Sequence, residues 1–165
     1  MTSGEKKDST RFDEVHLQLM DQQPESITSC IVHNDLKLDN CMFDPEDPDR
    51  VQSNFDWDMA TLGDPLIELG TLLGYWREQN DEFNRAPTID LDMSVFPHRS
   101  ALVERYAQSC IDVSKIDWYE AFALWKHAAV LQQLYSRFES GGSKDERFSR
   151  LKEIAGAQLL TAHNA

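Results

Sequence analysis

The 165 residues suit one domain or one lobe of a larger one, and a hydrophobic fraction of 41% is enough for a real core. The 29 acidic against 16 basic residues give a formal net charge of −13, which repels phosphate backbones and speaks against nucleic-acid binding. Three cysteines (Cys30, Cys41, Cys110) with no Cys-x-x-Cys pair argue against a disulfide framework or zinc site and for a reducing, cytoplasmic setting. The N-terminus lacks the apolar stretch of a signal peptide, and no apolar run nears the ~20 residues that a membrane span needs.

Residues 1–9 are polar and charged and read as a flexible tail ahead of one domain, 10–165. Ser9 or Thr10 can cap a helix to about Gln22, with Phe12, Val15, Leu19 and Met20 on one face; Pro24 ends it. Ile27 to Val32 is rich in β-branched and apolar types and predicts a short buried strand. Asn40 to Phe43 and Val51 to Phe55 predict a hairpin around the Asp- and Pro-rich turn 44–50. Gly63-Asp64-Pro65 starts a helix running from Leu66 to about Glu78, with Asp64 as cap and Leu66, Leu69, Leu72, Leu73 and Trp76 as its stripe. Residues 79–97, with Pro87 and Pro97, predict a long loop. Three helices follow, from about Arg99 to Cys110, Trp118 to Phe138 and Lys144 to Ala162; the second, apolar on much of its circumference, is the expected central helix. The four tryptophans, Trp57, Trp76, Trp118 and Trp125, read as core or helix-packing residues.

Chemistry concentrates between His33 and Asp58. Asp35 and Asn40 stand five residues apart in a loop after a strand, and the hairpin returns Asp56 toward Asn40. An Asp that orients an attacking hydroxyl, an Asn that holds Mg²⁺ and a second Asp on the same ion are the parts of a kinase site. Each piece alone is weak: His33 reads as a buried histidine pinning the loop, and Phe55-Asp56-Trp57-Asp58 can be a strand end with two solvated acids. The order strand, His-x-Asp-x-x-x-x-Asn, hairpin, Asp is specific. A hydrolase using the paired acids leaves Asn40 without a task.

The run His33-Asn34-Asp35-Leu36-Lys37-Leu38-Asp39-Asn40, followed by Asp56 to Pro65, resembles the aminoglycoside phosphotransferase family of the protein-kinase-like superfamily. Within it, the chain is similar to a bacterial phosphotransferase group related to the kinase-like domain fused to certain acyl-CoA dehydrogenases. Residues 117–122 and 144–148 share that similarity, so it covers roughly residues 10 to 160. The resemblance implies an α+β fold: a kinase-like C-terminal lobe, mostly helical, with a small hairpin carrying the site. It implies ATP and Mg²⁺ as cofactors and a hydroxyl of a small molecule as acceptor. Carried over, Asp35 is the catalytic base, Asn40 and Asp56 are Mg²⁺ ligands, and His33 supports the loop. Asp58 stands where Glu is usual, a further candidate ligand. Lys37 either touches the γ-phosphate or is a solvated loop lysine. Glu68 stands where Asp is usual after Gly-Asp-Pro, and is expected to anchor helix and loop by hydrogen bonds. No glycine-rich loop precedes His33, and the N-terminal ATP-binding lobe of the family is expected to be absent. The expectation is little kinase activity from this chain alone, with a separate N-terminal lobe or self-association as partner. The alternative is a non-catalytic kinase remnant serving as an interaction module.

Overall fold

The computed structural model describes residues 3–26, 28–78, 81 and 92–164, with side chains from residue 10 onward. Among the described residues there are five α-helices and four short strands, the strands in two two-stranded sheets.

Helix α1, Ser3–Asp21, begins well ahead of the expected Ser9 or Thr10, in a segment whose Glu5, Lys6 and Lys7 are good helix formers. Val15 and Leu19, one turn apart, are buried, whereas Met20 faces solvent at 60% exposure. The indole nitrogens of Trp118 and Trp125 donate to the carbonyls of Leu19 and Phe12, tying α1 to the long helix behind it.

Strand β1 is Cys30–Val32, shorter than the expected 27–32; residue 27 lies outside the described residues. β2, Cys41–Phe43, and β3, Val51–Asn54, form the expected antiparallel hairpin, with a register shift between Met42 and Phe43. Asp44 N–H donates to the Arg50 carbonyl and closes the turn. β4, Thr61–Gly63, was not expected: three residues are too few to display a period of two. It pairs antiparallel with β1, Ile31 opposite Leu62, and so closes the segment around the hairpin.

Helix α2, Pro65–Tyr75, starts as expected, with the Asp64 side chain accepting Leu66 N–H at 2.9 Å. It ends at Tyr75, three residues early. Leu66, Leu69, Leu73 and Trp76 are buried. The loop expected over 79–97 lies mostly outside the described residues. Helix α3 is Arg99–Ala107, and α4, Ile116–Glu139, is the central helix, packed on α1, α2 and α5. The α2–α4 approach depends on Gly70, where an added Cβ would sit 2.5 Å from the Tyr119 carbonyl oxygen. A helix expected from Lys144 starts later: Glu146–Arg150 is a 3-10 turn, and α5 is Leu151–His163. Trp76 is buried and Trp118 and Trp125 pack against the core, but Trp57 is 48% exposed and serves no core.

Candidate active site

β1 delivers His33 from the buried Val32, and the first turn of α2 meets it there. The Glu68 carboxylate accepts the backbone N–H groups of both His33 and Asn34, the anchoring expected of it. Asn34 takes the left-handed conformation, φ 69°, which carries an energetic cost for a residue with a Cβ. From the other side, the Lys126 ammonium donates to the Asn34 carbonyl at 2.7 Å, to Asn34 Oδ1 at 3.4 Å and to Thr71 Oγ1 at 3.2 Å. The buried His33 ring donates from Nε2 to the Phe55 carbonyl at 2.5 Å, locking the catalytic-type loop to the hairpin's return end. It supports the loop and does not face the cavity.

The Asp35 carboxylate is held on both oxygens. Tyr75 OH donates to Oδ1 at 2.7 Å; Lys37 Nζ donates to Oδ2 at 2.8 Å, and Asn40 Nδ2 to the same oxygen at 3.2 Å. Burial by itself would raise the pKa of Asp35, but the donors Lys37, Tyr75 and Asn40 outweigh it and hold the carboxyl below its ordinary value. Burial and the Asp35 charge push the Tyr75 phenol far up. The Lys37 ammonium also lies 5.3 Å from the centre of the Tyr75 ring.

Asn40 spends its amide nitrogen on Asp35, including the Asp35 carbonyl at 2.9 Å, while its Oδ1 accepts no hydrogen bond from any described residue. Phe55 N–H donates to the Asn40 carbonyl at 2.8 Å, so the hairpin returns Asp56 to the residue beside that bond. Asp56 is exposed, in the left-handed region at φ 60°, and opens the 3-10 turn Trp57–Met59 that carries the exposed Asp58. Asn34 Nδ2 donates to the Met59 carbonyl at 3.3 Å and ties that turn to the loop. Asp35, Lys37 and Asn40 thus form one hydrogen-bonded cluster, with His33 behind it. Asp56 follows Phe55, whose backbone bonds Asn40 and His33, and Asp58 stays on the exposed turn. Among the described residues no three His, Cys, Asp or Glu side chains gather as a metal cage. A free amide oxygen and one or two carboxylates nevertheless suit Mg²⁺, which takes few protein ligands and keeps waters or phosphate oxygens for the rest.

A cavity of about 500 Å³ opens over Asp35. Asp35, Lys37, Tyr75 and Lys126 line it together with the apolar Val130, Leu131, Leu134, Phe148, Leu151 and Ile154, and with Arg147. Burial lowers the pKa of Lys126, against the opposing pull of Asp35 and Glu68. Sequence reasoning missed Tyr75 and Lys126. Tyr75 hid at the end of an apolar helix. Lys126 left one signal: a single charge within Ala123-Leu124-Trp125-Lys126-His127-Ala128-Ala129-Val130, where burial demands partners.

Strand, Asp-bearing loop, hairpin and capped helix, in this order around the Asp35 carboxylate, are the arrangement of the kinase-like phosphotransferase fold. The chain belongs to the phosphotransferase enzyme family, APH, whose model matches residues 3–101. It is 31% identical over 141 residues to acyl-CoA dehydrogenase family member 11 of Rattus norvegicus, an alignment covering 82% of this chain and 18% of that protein. Acyl-CoA dehydrogenase family member 10 of Mus musculus is 30% identical over 125 residues, 72% of this chain and 11% of its own. The chain therefore spans less than a fifth of these curated relatives. A candidate aminoglycoside phosphotransferase of known crystal structure, from Ralstonia eutropha JMP134, shares the fold: its TM-score is 0.68 at 24% identity, over 97% of this chain and 54% of its own.

Proposed function

We propose that this chain is the catalytic lobe of an ATP-dependent kinase whose acceptor is a hydroxyl of a small molecule. The observation that carries the reading is the Asp35 carboxylate, fixed by Tyr75, Lys37 and Asn40 at the lining of a cavity large enough for a small acceptor. Asp35 orients the attacking hydroxyl. With its pKa below the ordinary range it is a poor proton sink, which suits a loose phosphoryl transfer in which positioning outweighs proton removal. Asn40 through its free oxygen and Asp56, with Asp58 nearby, would hold a Mg²⁺ that neutralises charge on the ATP phosphates. Lys37, half-buried and already paired with Asp35, is poised for the γ-phosphate rather than solvated.

The cavity favours some acceptors over others. Its lining is largely apolar; Lys37 and Lys126 stand there with the Asp35 carboxylate, while Arg147 at the lining is paired with Asp145. A neutral or anionic hydroxyl compound with an apolar body fits this lining better than a polycationic aminoglycoside does. The phosphate clamp is a separate matter. The kinase reading assigns that clamp to a separate N-terminal lobe, of the same or another polypeptide, as the family resemblance implies. Exposed Ile31, Leu62, Phe43, Val51 and Phe55 on or beside the strands support a docking surface there, with self-association as the other occupant. The same exposed side chains favour the second reading, a non-catalytic interaction module.

Transfer from MgATP to a panel of aliphatic alcohols, hydroxy acids, polyols and kanamycin tests the proposal. The chain alone should turn over far more slowly than the ~1–100 per second of ordinary kinases. Asp35→Asn should lower that residual transfer at least ~100-fold while leaving the fold intact. Transfer indifferent to Asp35→Asn, or partner binding with no transfer at all, would favour the module.

A further inference from the structure

Tyr75, like Lys126, is a residue of the site that no motif predicts. It ends α2, and its hydroxyl reaches across 40 residues of sequence to Asp35 Oδ1 at 2.7 Å. Its ring is clamped between two neighbours: the His127 ring of α4, at a centroid distance of 4.1 Å, and the Lys37 ammonium, at 5.3 Å. A phenol gripped in this way has little freedom to leave Asp35.

The other oxygen of Asp35 receives Lys37 and Asn40, both from the loop that carries Asp35 itself. These local partners move with the loop. Tyr75 is different, because it belongs to the rigid helix whose first turn already fixes His33 and Asn34 through Glu68. One helix thus holds the loop's backbone at its start and the loop's carboxylate at its end.

We propose that Tyr75 is the positioning residue of the transfer site: it sets the plane of the Asp35 carboxylate and so the direction from which an acceptor hydroxyl is received. The inference rests on the kinase reading of Asp35 and adds a residue to it. A hydroxyl aligned by a fixed carboxylate reacts from a smaller set of orientations, and this gain appears in the chemical step more than in binding. The ring packs without help from its oxygen, so Tyr75→Phe keeps the His127 and Lys37 contacts and removes only the donor.

Two measurements on the full chain decide the matter. In proton NMR, a phenol held by a buried carboxylate gives a slowly exchanging, downfield hydroxyl resonance. We expect one such signal, absent in Tyr75→Phe and lost or moved upfield in Asp35→Asn. In the transfer assay, with whichever panel compound is phosphorylated, Tyr75→Phe should lower kcat about tenfold and leave KM for ATP and acceptor nearly unchanged. A purely structural tyrosine predicts unaltered kinetic constants per folded molecule. Should Tyr75→Phe fold poorly, the wild-type resonance and its response to Asp35→Asn still decide the contact. Absence of the resonance from the folded wild type, or an unchanged kcat in folded Tyr75→Phe, overturns the proposal. A wild-type chain that transfers phosphate to nothing is a different failure, that of the kinase reading itself.

Discussion

Lys126 Nζ lies 2.7 Å from the backbone oxygen of Asn34, across a separation of 92 residues. Glu68 takes the N–H of the same residue. An ammonium and a carboxylate therefore grip Asn34 from opposite sides and stabilise a left-handed backbone that a non-glycine residue adopts reluctantly. The direction in which the chain leaves Asn34 sets where Asp35 begins.

Replacing Lys126 by Met should disturb that grip. It leaves the part-buried Asn34 carbonyl without its donor, a loss toward the lower end of the ~1–3 kcal/mol of a fully buried acceptor, partly offset because a desolvated charge goes with it. The pH dependence separates the two effects. Burial holds the folded-state pKa of Lys126 below its ordinary 10.5, so between the two values the unfolded chain binds more protons than the folded one. Lys126 therefore adds stability as pH climbs toward 10.5, and Lys126→Met lacks that contribution. Urea melts across alkaline pH should show the difference between the two proteins widening. Parallel pH curves would mean that the ammonium is better solvated than its surroundings imply.

Glu68→Gln tests the opposite jaw. The amide keeps the shape but replaces a charged acceptor of two backbone N–H groups with a neutral one. Hydrogen bonds to charged groups contribute ~1.5–3 kcal/mol, so a loss near the lower end of that range is expected. Urea denaturation reads it directly. A variant as stable as wild type would show that the Glu68 charge contributes nothing beyond shape.

How much of this could be seen in the sequence depends on the range of each interaction. The hairpin, the Asp64 cap and the spacing of Asp35, Asn40 and Asp56 are local, and each was legible from turn chemistry and motif order. β4 was not, since a three-residue strand exists only through its pairing with β1, 31 residues away in the register of Ile31 and Leu62. Trp57 was misjudged because aromatic content alone does not say which face a 3-10 turn offers to solvent. Tyr75 and Lys126 join the site through contacts 40 and 92 residues long, and no spacing rule spans such distances.

Gly70→Ala probes the packing that brings these distant residues together. Alanine improves intrinsic helix propensity by about 1 kcal/mol, which would stabilise an isolated helix. Here its Cβ would meet the Tyr119 carbonyl oxygen at 2.5 Å, backbone against side chain, with no flexible end to yield. Overpacking of this kind costs ~1–3 kcal/mol, so net destabilisation is expected. The wider α2–α4 spacing should also loosen the Tyr75–His127 ring contact, 4.1 Å between centroids, that steadies the phenol. Thermal melting checks the first effect and the hydroxyl resonance of Tyr75 the second. A raised melting temperature would mean that the two helices stand further apart than described.

Arg99 holds the far end of the same helix pair. Its guanidinium contacts the Asp81 carboxylate, donates to the Trp76 carbonyl at 2.9 Å and lies 3.4 Å from Glu78 and 3.9 Å from Glu120. Those acids come from the segment after α2 and from α4, and one cation satisfies both. Its side chain is 21% exposed, so solvent screens the cluster only in part. Arg99→Met removes the cation that the three carboxylates share, while the Arg99 N–H and His98 still face Glu78. Breaking a fully buried pair costs ~3–5 kcal/mol, and this partly exposed one should cost less. Because the residual penalty is repulsion among like charges, added salt should recover part of it in Arg99→Met while changing wild type little. Urea melts at low and high ionic strength decide the point: a loss that salt does not touch would trace to the Trp76 hydrogen bond and the packing of the arginine stem rather than to charge.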